Sequence, residues 1–261
     1  MFTSCDDIAR DAICVSIIPP ALLGMPRGGG VIFYRTVVAE RMSGGERGAD
    51  RFRDRTDAGR RLAGAVDERD VNADIVLAIP RGGLPLGREV ADALSLPLDI
   101  IVASKIGAPG NPEYAIGAVA SDGSAWLDDG AIEQVGASDD YLEREREREA
   151  ENAREKAETY RGDRDEPDLA GKTVLVVDDG VATGSTAIAA VRLAREKGAE
   201  HVVVAVPVGP PSTVTDLEAE ADEVICPKVT SAFRGVGQFY ENFEQVTDEE
   251  AMAYLRDDGS S

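Results

Sequence analysis

Residues 173–187 read TVLVVDDGVATGSTA, and this stretch limits the folds open to the chain more than any other. Thr173 to Val177 is a run of β-branched residues and leucine without polar alternation, so a strand made of it must be covered on both faces. It ends abruptly in Asp178 and Asp179, and a loop of glycines and hydroxyls follows. A covered strand that delivers two carboxylates and a turn-rich loop to one place fits a parallel sheet, where ligands gather at the carboxyl ends of the strands.

Similar runs recur at DIVLAIP (74–80), LDIIVAS (98–104), HVVVAVP (201–207) and EVICP (223–227). Helical spacing alternates with them: Leu86, Val90 and Leu94 recur every four residues, Ile188, Val191 and Ala194 every three. The fold class expected is α/β, a Rossmann-like parallel sheet flanked by helices. Both glycine-rich loops, PRGG and DDGVATGST, leave the strands at their carboxyl ends. Between the second and third strands, residues 105–128 predict a loop with a weak hairpin, Ala115–Ala120 against Ser124–Leu127, turning at Asp122-Gly123. Gly107, Gly110 and Gly117 make residues 107–125 a candidate mobile lid. A charged helix from Ser138 to about Tyr160 follows, capped by Ser138, with a narrow seam of Ala150, Ala153, Ala157 and Tyr160. Its ERERERE run reads as a solvated face. Residues 161–168 are a polar linker.

The doubled acids decide among three chemistries. A nucleotide P-loop needs GxxxxGK[ST], but Gly180 and Gly184 are spaced differently and no lysine follows. A phosphoacceptor receiver needs an aspartate ending a later strand, and HVVVAVPVG offers none. The third reading fits. Backbone N–H groups at a helix start, with the hydroxyls of Thr183, Ser185 and Thr186, suit a phosphate, and Gly184 permits close approach. Two carboxylates just upstream can accept from a sugar diol. Phosphate and diol together describe a ribose 5-phosphate. A merely acidic turn explains neither the pair of acids nor the hydroxyls.

With these residues in view, the sequence resembles the type I phosphoribosyltransferases, whose signature is an apolar strand, two acids and a T-G-x-T loop. PRGGLPLG (80–87), KIGAPGNPEYAIGAV (105–119) and GQFYENF (237–243) are similar to a group of standalone phosphoribosyltransferases, some of whose relatives are fused to hydrolase domains. The resemblance runs from about Phe52 to Ala251. It implies a small hood over the site, built from about 42–70 and 227–250, and a flexible loop. It also implies transfer of phosphoribosyl from 5-phosphoribosyl 1-pyrophosphate (PRPP), with Mg2+, to a nucleobase or related nucleophile.

The same resemblance assigns roles. Asp178 and Asp179 would meet the ribose hydroxyls, or a water on magnesium. Ala182, Thr183, Gly184, Ser185 and Thr186 would hold the 5-phosphate. Arg81, Gly82 and Gly83 would meet pyrophosphate, on a loop with a cis peptide at Arg81–Gly82. The alternative for Arg81 is a turn at a helix start. Lys105, ending the second strand, would add a cation, although Ser104 stands where relatives often carry arginine. Glu113 is the candidate for proton handling or a pyrophosphate–metal contact. Phe239 and Tyr240, with Phe233, would either stack on a base or pack the hood. Ala182, where oxopurine-specific relatives carry aspartate, disfavours a hypoxanthine/guanine enzyme. Two alternatives stay open: a PRPP-sensing regulator of the same fold, and a non-catalytic domain partnered with a separate hydrolase. The partners implied are PRPP and an unidentified base, with room for a homodimer.

Charge narrows the setting. The chain carries 49 acids against 28 bases, a net charge of −21, and of its lysines only Lys105, Lys156, Lys172, Lys197 and Lys228 are present. That balance disfavours nucleic acid, which needs a basic face. It suits a cytoplasmic protein of a salt-accumulating organism, where screening relieves self-repulsion; an ordinary acidic protein is the alternative. The longest apolar stretch, AICVSIIPPALLGM, is short, broken by Pro19 and Pro20, and has no basic region before it, so neither a membrane span nor a leader is expected. Cys5, Cys14 and Cys226 have no paired spacing for a disulfide or zinc, and His201 reads as structural. Residues 1–41 carry four acids and four bases, so the whole net charge lies in 42–261. This shift suggests that 1–41 are a non-native or disordered extension and that Met42 is the true start of the working domain, 42–261; an anchor or partner-binding arm is the alternative. With acids so dense, melting temperature should rise steeply from dilute to molar potassium chloride, since the screening length falls to about 3 Å at 1 M. A flat melting temperature in a salt series would contradict the halophile reading.

Overall fold

The computed structural model describes residues 51–256, apart from residue 163 and the side chain of Glu113. The segment 1–41 and its boundary at Met42 therefore lie outside the described residues, as does 42–50 of the expected hood. No helix among the described residues is long and apolar enough to cross a membrane.

Helix α1 (Arg55–Asp67) leads into β1 (Ile75–Ala78), α2 (Gly83–Leu94) and β2 (Leu98–Ile100). After an insertion come β6 (Thr173–Val177), α5 (Ser185–Glu196), β7 (His201–Ala205), the two-residue β8 (Val208–Gly209), α6 (Pro211–Glu218) and β9 (Glu223–Ile225). Apart from β8, these strands form one parallel sheet in the order β2-β1-β6-β7-β9. Successive residues of each strand enter opposite cores. Leu175, Val177, Val203 and Ala205 pack with α1, α2 and the carboxyl-terminal helix α7 (Asp248–Arg256). Val174, Val176, Val202 and Val204 pack with α5 and α6. Cover on both faces is the reason these strands read as unbroken apolar runs. β1, β2, β7 and β9 stop before their apolar runs end, because the last residues leave the ladder to build the loops, whereas β6 runs to the end of its apolar stretch at Val177.

The insertion holds more sheet than the sequence suggests. β3 (Ala103–Ala108), β4 (Asn111–Ala120) and β5 (Ala125–Leu127) form an antiparallel sheet of their own. The hairpin expected at Asp122-Gly123 is there, with Gly123 at φ 83° and the Ser124 N–H donating to Asp122 Oδ1 at 2.8 Å. The expected second strand, 98–104, splits instead. The parallel ladder ends at Ile100, and Lys105 sits inside β3 opposite Ala118 rather than at the end of a parallel strand. Ile106, Ile116 and Val119 give this sheet a small core with Ala131 of α3 (Asp129–Val135) and Ala150 of α4 (Asp139–Arg161). The candidate lid is anchored: Tyr141 donates to Gly107 O at 2.9 Å, Lys197 pairs with Asp122 at 2.5 Å, and the Arg192 guanidinium lies 3.4 Å from the Trp126 ring.

α4 is the charged helix. Ser138 caps it, accepting from Tyr141 N at 3.3 Å, and Ala150, Ala153 and Ala157 are its buried seam. Its carboxyl end covers the exposed edge of β2. Arg161 donates to Asp99 Oδ1 at 2.9 Å and to Ile100 O at 3.1 Å, and Arg164 donates to Leu98 O at 3.3 Å. The Arg161 and Asp99 side chains are only 8% and 6% exposed. This ion pair satisfies edge carbonyls that would otherwise invite another strand. Removing Arg161 leaves the buried Asp99 charge with only the longer contact to the more exposed Arg164, at 3.8 Å. Arg161→Met should therefore cost about 3 kcal/mol, seen as a lower midpoint in urea unfolding. A midpoint equal to wild type would show the pair to be dispensable.

Candidate active site

β1 and β6 are neighbours in parallel, so the loops that follow them emerge side by side. Ile79 donates to Val177 O at 2.9 Å and Gly83 donates to Ile79 O at 2.9 Å, which folds residues 80–83 back over the end of β6. The contact leaves no room for side chains. A Cβ on Gly82 would fall 2.3 Å from Asp179 Oδ2, and one on Gly83 would fall 2.5 Å from Val177 O. The glycine pair is thus required by loop-on-loop packing before any ligand is considered. The cis peptide lies at Pro80–Arg81, one bond earlier than expected at Arg81–Gly82.

The two acids differ in surroundings. Asp179 is 9% exposed and accepts from Arg55 Nε of α1 at 2.8 Å. The same guanidinium donates to Glu244 O at 2.6 Å and lies 4.0 Å from the Phe243 ring. Asp178 is half-buried and accepts the Asp179 N–H at 2.8 Å. Burial, with the Asp179 charge beside it, pushes the Asp178 carboxyl well above the usual carboxylate range. Burial also raises Asp179, but the Arg55 charge and hydrogen bond oppose the rise. The sequence shows no partner for either acid; the partner of Asp179 is 124 residues away.

Phe239 and Tyr240 pack the interior, the second of the two roles open to them. Both are buried, and Tyr240 is flanked by Phe52 and Phe243 at centroid distances of 5.3 and 4.9 Å. The Tyr240 hydroxyl donates to Asp179 O at 2.6 Å. An isolated parallel bridge pairs Tyr240 with Phe52 at this point.

At the next loop Gly184 has φ 76° and begins α5, and a Cβ there would meet Thr213 at 2.8 Å. Thr213 Oγ1 donates to Ala182 O at 2.7 Å and fixes the turn. Thr183 Oγ1 and Ser185 Oγ are 3.2 Å apart, and Ala182, Thr183 and Thr186 are exposed. The first turn of α5 holds no acidic residue, so its N–H groups face outward without a competing carboxylate.

A cavity of about 660 Å³ opens beside these loops, with Pro80, Ile101, Lys105, Gly107, Tyr141, Lys156 and Thr186 in its walls. The structure therefore brings Lys105 and Thr186 to one space, while the Asp179 carboxylate lies against Gly82 and neither acid is part of the cavity lining. Arg81 pairs with Asp248 of α7 at 3.1 Å, and Asp248 also accepts from Tyr160 at 2.9 Å. Glu113 lies in β4, with its side chain outside the described residues. Arg55, Asp248 and Lys156 are site neighbours that no local motif marks. Among the described residues no group of three or more His, Cys, Asp or Glu is placed to hold a metal.

A carboxyl whose folded pKa is raised costs stability once it ionises. Below about pH 4 Asp178 is protonated folded or unfolded and costs nothing; as pH rises through the elevated folded value, stability is lost. Asp178→Asn retains the acceptor for Asp179 N–H and escapes that loss. It should stabilise the protein by roughly 1 kcal/mol at neutral pH, with the advantage shrinking toward pH 4. Denaturant unfolding across pH checks this, and a destabilised Asn variant at pH 7 would contradict it.

Comparison with known proteins bears on what this site belongs to. A model of the phosphoribosyl transferase domain matches residues 50–244. Two Mycobacterium tuberculosis proteins, each named a "putative phosphoribosyl transferase", are 43% identical over 207 residues, covering 78% of this chain and 46% of theirs. The chain thus spans about half the length of these relatives. An orotate phosphoribosyltransferase of Corynebacterium glutamicum is 49% identical over a shorter stretch of 59 residues, 23% of this chain and 28% of that one. A Thermus thermophilus protein of known crystal structure superposes with a TM-score of 0.74 at 44% identity, covering 78% of this chain and 97% of that one. A domain match over most of the chain, on loops that meet as described, shows that this chain belongs to the phosphoribosyl transferase domain family.

Proposed function

We propose that the protein transfers a phosphoribosyl group from PRPP to a nucleobase or related nucleophile, releasing pyrophosphate. The observation that carries this reading is the junction of the Pro80–Gly83 loop with the Asp178–Asp179 strand end, beside an acid-free helix start at Gly184. Exposed N–H groups and the hydroxyls of Thr183, Ser185 and Thr186 suit the 5-phosphate. The carboxylates suit the ribose diol a few residues upstream, with Asp178 the freer of the two because Arg55 engages Asp179.

Breaking the bond from C1 to pyrophosphate builds positive charge on the ribose ring and negative charge on the leaving group. Lys105 in the cavity wall, and Arg81 if it leaves Asp248, are the groups suited to the leaving anion, while Asp178 supports the cationic ring. The donor set fits magnesium carried mainly on substrate oxygens and waters, touched through water by Asp178 or Asp179, where it would help neutralise pyrophosphate. The β3–β4 hairpin forms one wall of the cavity and is the element suited to exclude water from the reacting carbon. Glu113 on that hairpin remains the candidate for proton handling.

The test is pyrophosphate release from PRPP against a panel of purine, pyrimidine and other amine acceptors. Release that depends on an acceptor supports the transferase. PRPP binding without release for any acceptor would replace it with the sensing regulator. The folded double variant Asp178→Asn/Asp179→Asn should bind PRPP about 10- to 100-fold more weakly, as expected for lost charge-assisted hydrogen bonds. Unchanged calorimetric affinity would remove both acids from the site.

A further inference from the structure

The charged helix α4 lies along the cavity that Lys105 and Thr186 line. Tyr141, Glu145, Arg148, Glu149 and Lys156 line it, and their spacing is that of one helical face. Beyond Lys156 the same face reaches Tyr160, whose hydroxyl donates to the Asp248 that holds Arg81. α4 therefore runs from the hairpin, at Gly107, to the loop that carries Arg81.

Charge on this face is distributed unevenly. Arg148 is engaged by both Glu145 and Glu149, so those three leave one negative charge and no available cation. Lys156 is different. Its neighbours at i±3 and i±4 are Ala153, Thr159, Asn152 and Tyr160, none of them acidic, although the helix is dense with glutamate. Among the described residues no ion pair engages it. Lys105, on β3, lines the same cavity. Two of only five lysines in a chain of net charge −21 thus face one cavity from two separate elements. An anion approaching so acidic a protein is repelled by the whole surface and needs a local set of cations to bind. Ammonium groups are compact point charges that suit phosphoryl oxygens approached from several directions.

We propose that Lys156 is a substrate-binding residue: with Lys105 it clamps a polyanionic phosphoryl group, the pyrophosphate portion of the donor, so that α4 is a wall of the active site. This rests on the transferase reading for the identity of the anion. The test is calorimetric titration of the full chain with inorganic pyrophosphate and magnesium, and separately with ribose 5-phosphate, at one fixed salt concentration. Lys156→Gln, an exposed position, should weaken pyrophosphate about tenfold while leaving ribose 5-phosphate within about twofold, and Lys156→Arg should restore most of the affinity. Pyrophosphate affinity unchanged in Lys156→Gln would overturn the proposal, as would equal losses for both ligands or no pyrophosphate binding by the wild type. The two readings fail separately. A wild type that binds pyrophosphate through Lys156 yet transfers to no acceptor keeps this site and loses the transferase. Acceptor-dependent turnover that is indifferent to Lys156 does the reverse.

Discussion

The site depends on one steric constraint: the loop after β1 lies directly on the end of β6. Gly82 and Gly83 have no space for a Cβ because Asp179 Oδ2 and Val177 O already occupy it. The contact follows from parallel pairing of β1 with β6, which aligns Ala78 with Val177 and so brings the two loops out at the same level. Any side chain here would push the loops apart, and with them the carboxylates and the N–H groups of the 80–83 turn.

Setting two acids at a covered strand end opposes folding, since burial and mutual repulsion both disfavour their ionised forms. The protein offsets this for Asp179 and much less for Asp178. Arg55 reaches across from α1, its guanidinium held by Glu244 O and the face of Phe243, while Tyr240 ties the Asp179 carbonyl. Tyr240 and Phe243 therefore brace the carboxylate scaffold. Burial pushes the Tyr240 phenol up in pKa and keeps it a donor. One acid engaged by Arg55 and a second that is only half-buried leave carboxylate acceptors at the strand end, at some expense to stability.

α4 gives the acidic composition a second meaning. Most of its glutamates and arginines pair along the helix or face solvent, as the sequence suggests. One stripe instead borders the cavity, and its carboxyl end closes the β2 edge through Arg161 and Arg164. The helix is thus joined to the sheet by a buried ion pair and to the hairpin by Tyr141. An element that looks like a spacer in composition is fixed at both ends.

What the sequence by itself determined is local in origin. Unbroken apolar runs demand cover on both faces, so the parallel sheet, its flanking helices and the loops at its carboxyl ends were legible, and so were the Ser138 cap, the alanine seam of α4 and the turn at Asp122-Gly123. The acids and the Gly184 helix start could be read because they are contiguous. Tertiary structure alone decided the rest. Nothing near Asp179 in sequence announces Arg55, nothing near Arg81 announces Asp248, and nothing near Lys105 announces Lys156. Each pair joins elements whose relative placement comes from packing over distant segments. Lys105 moved from a strand end into a hairpin for the same reason: Ile106 finds its buried partners in α3 and α4 rather than in the parallel sheet. Periodicity records which face of an element is buried, but it carries no information about which other element buries it.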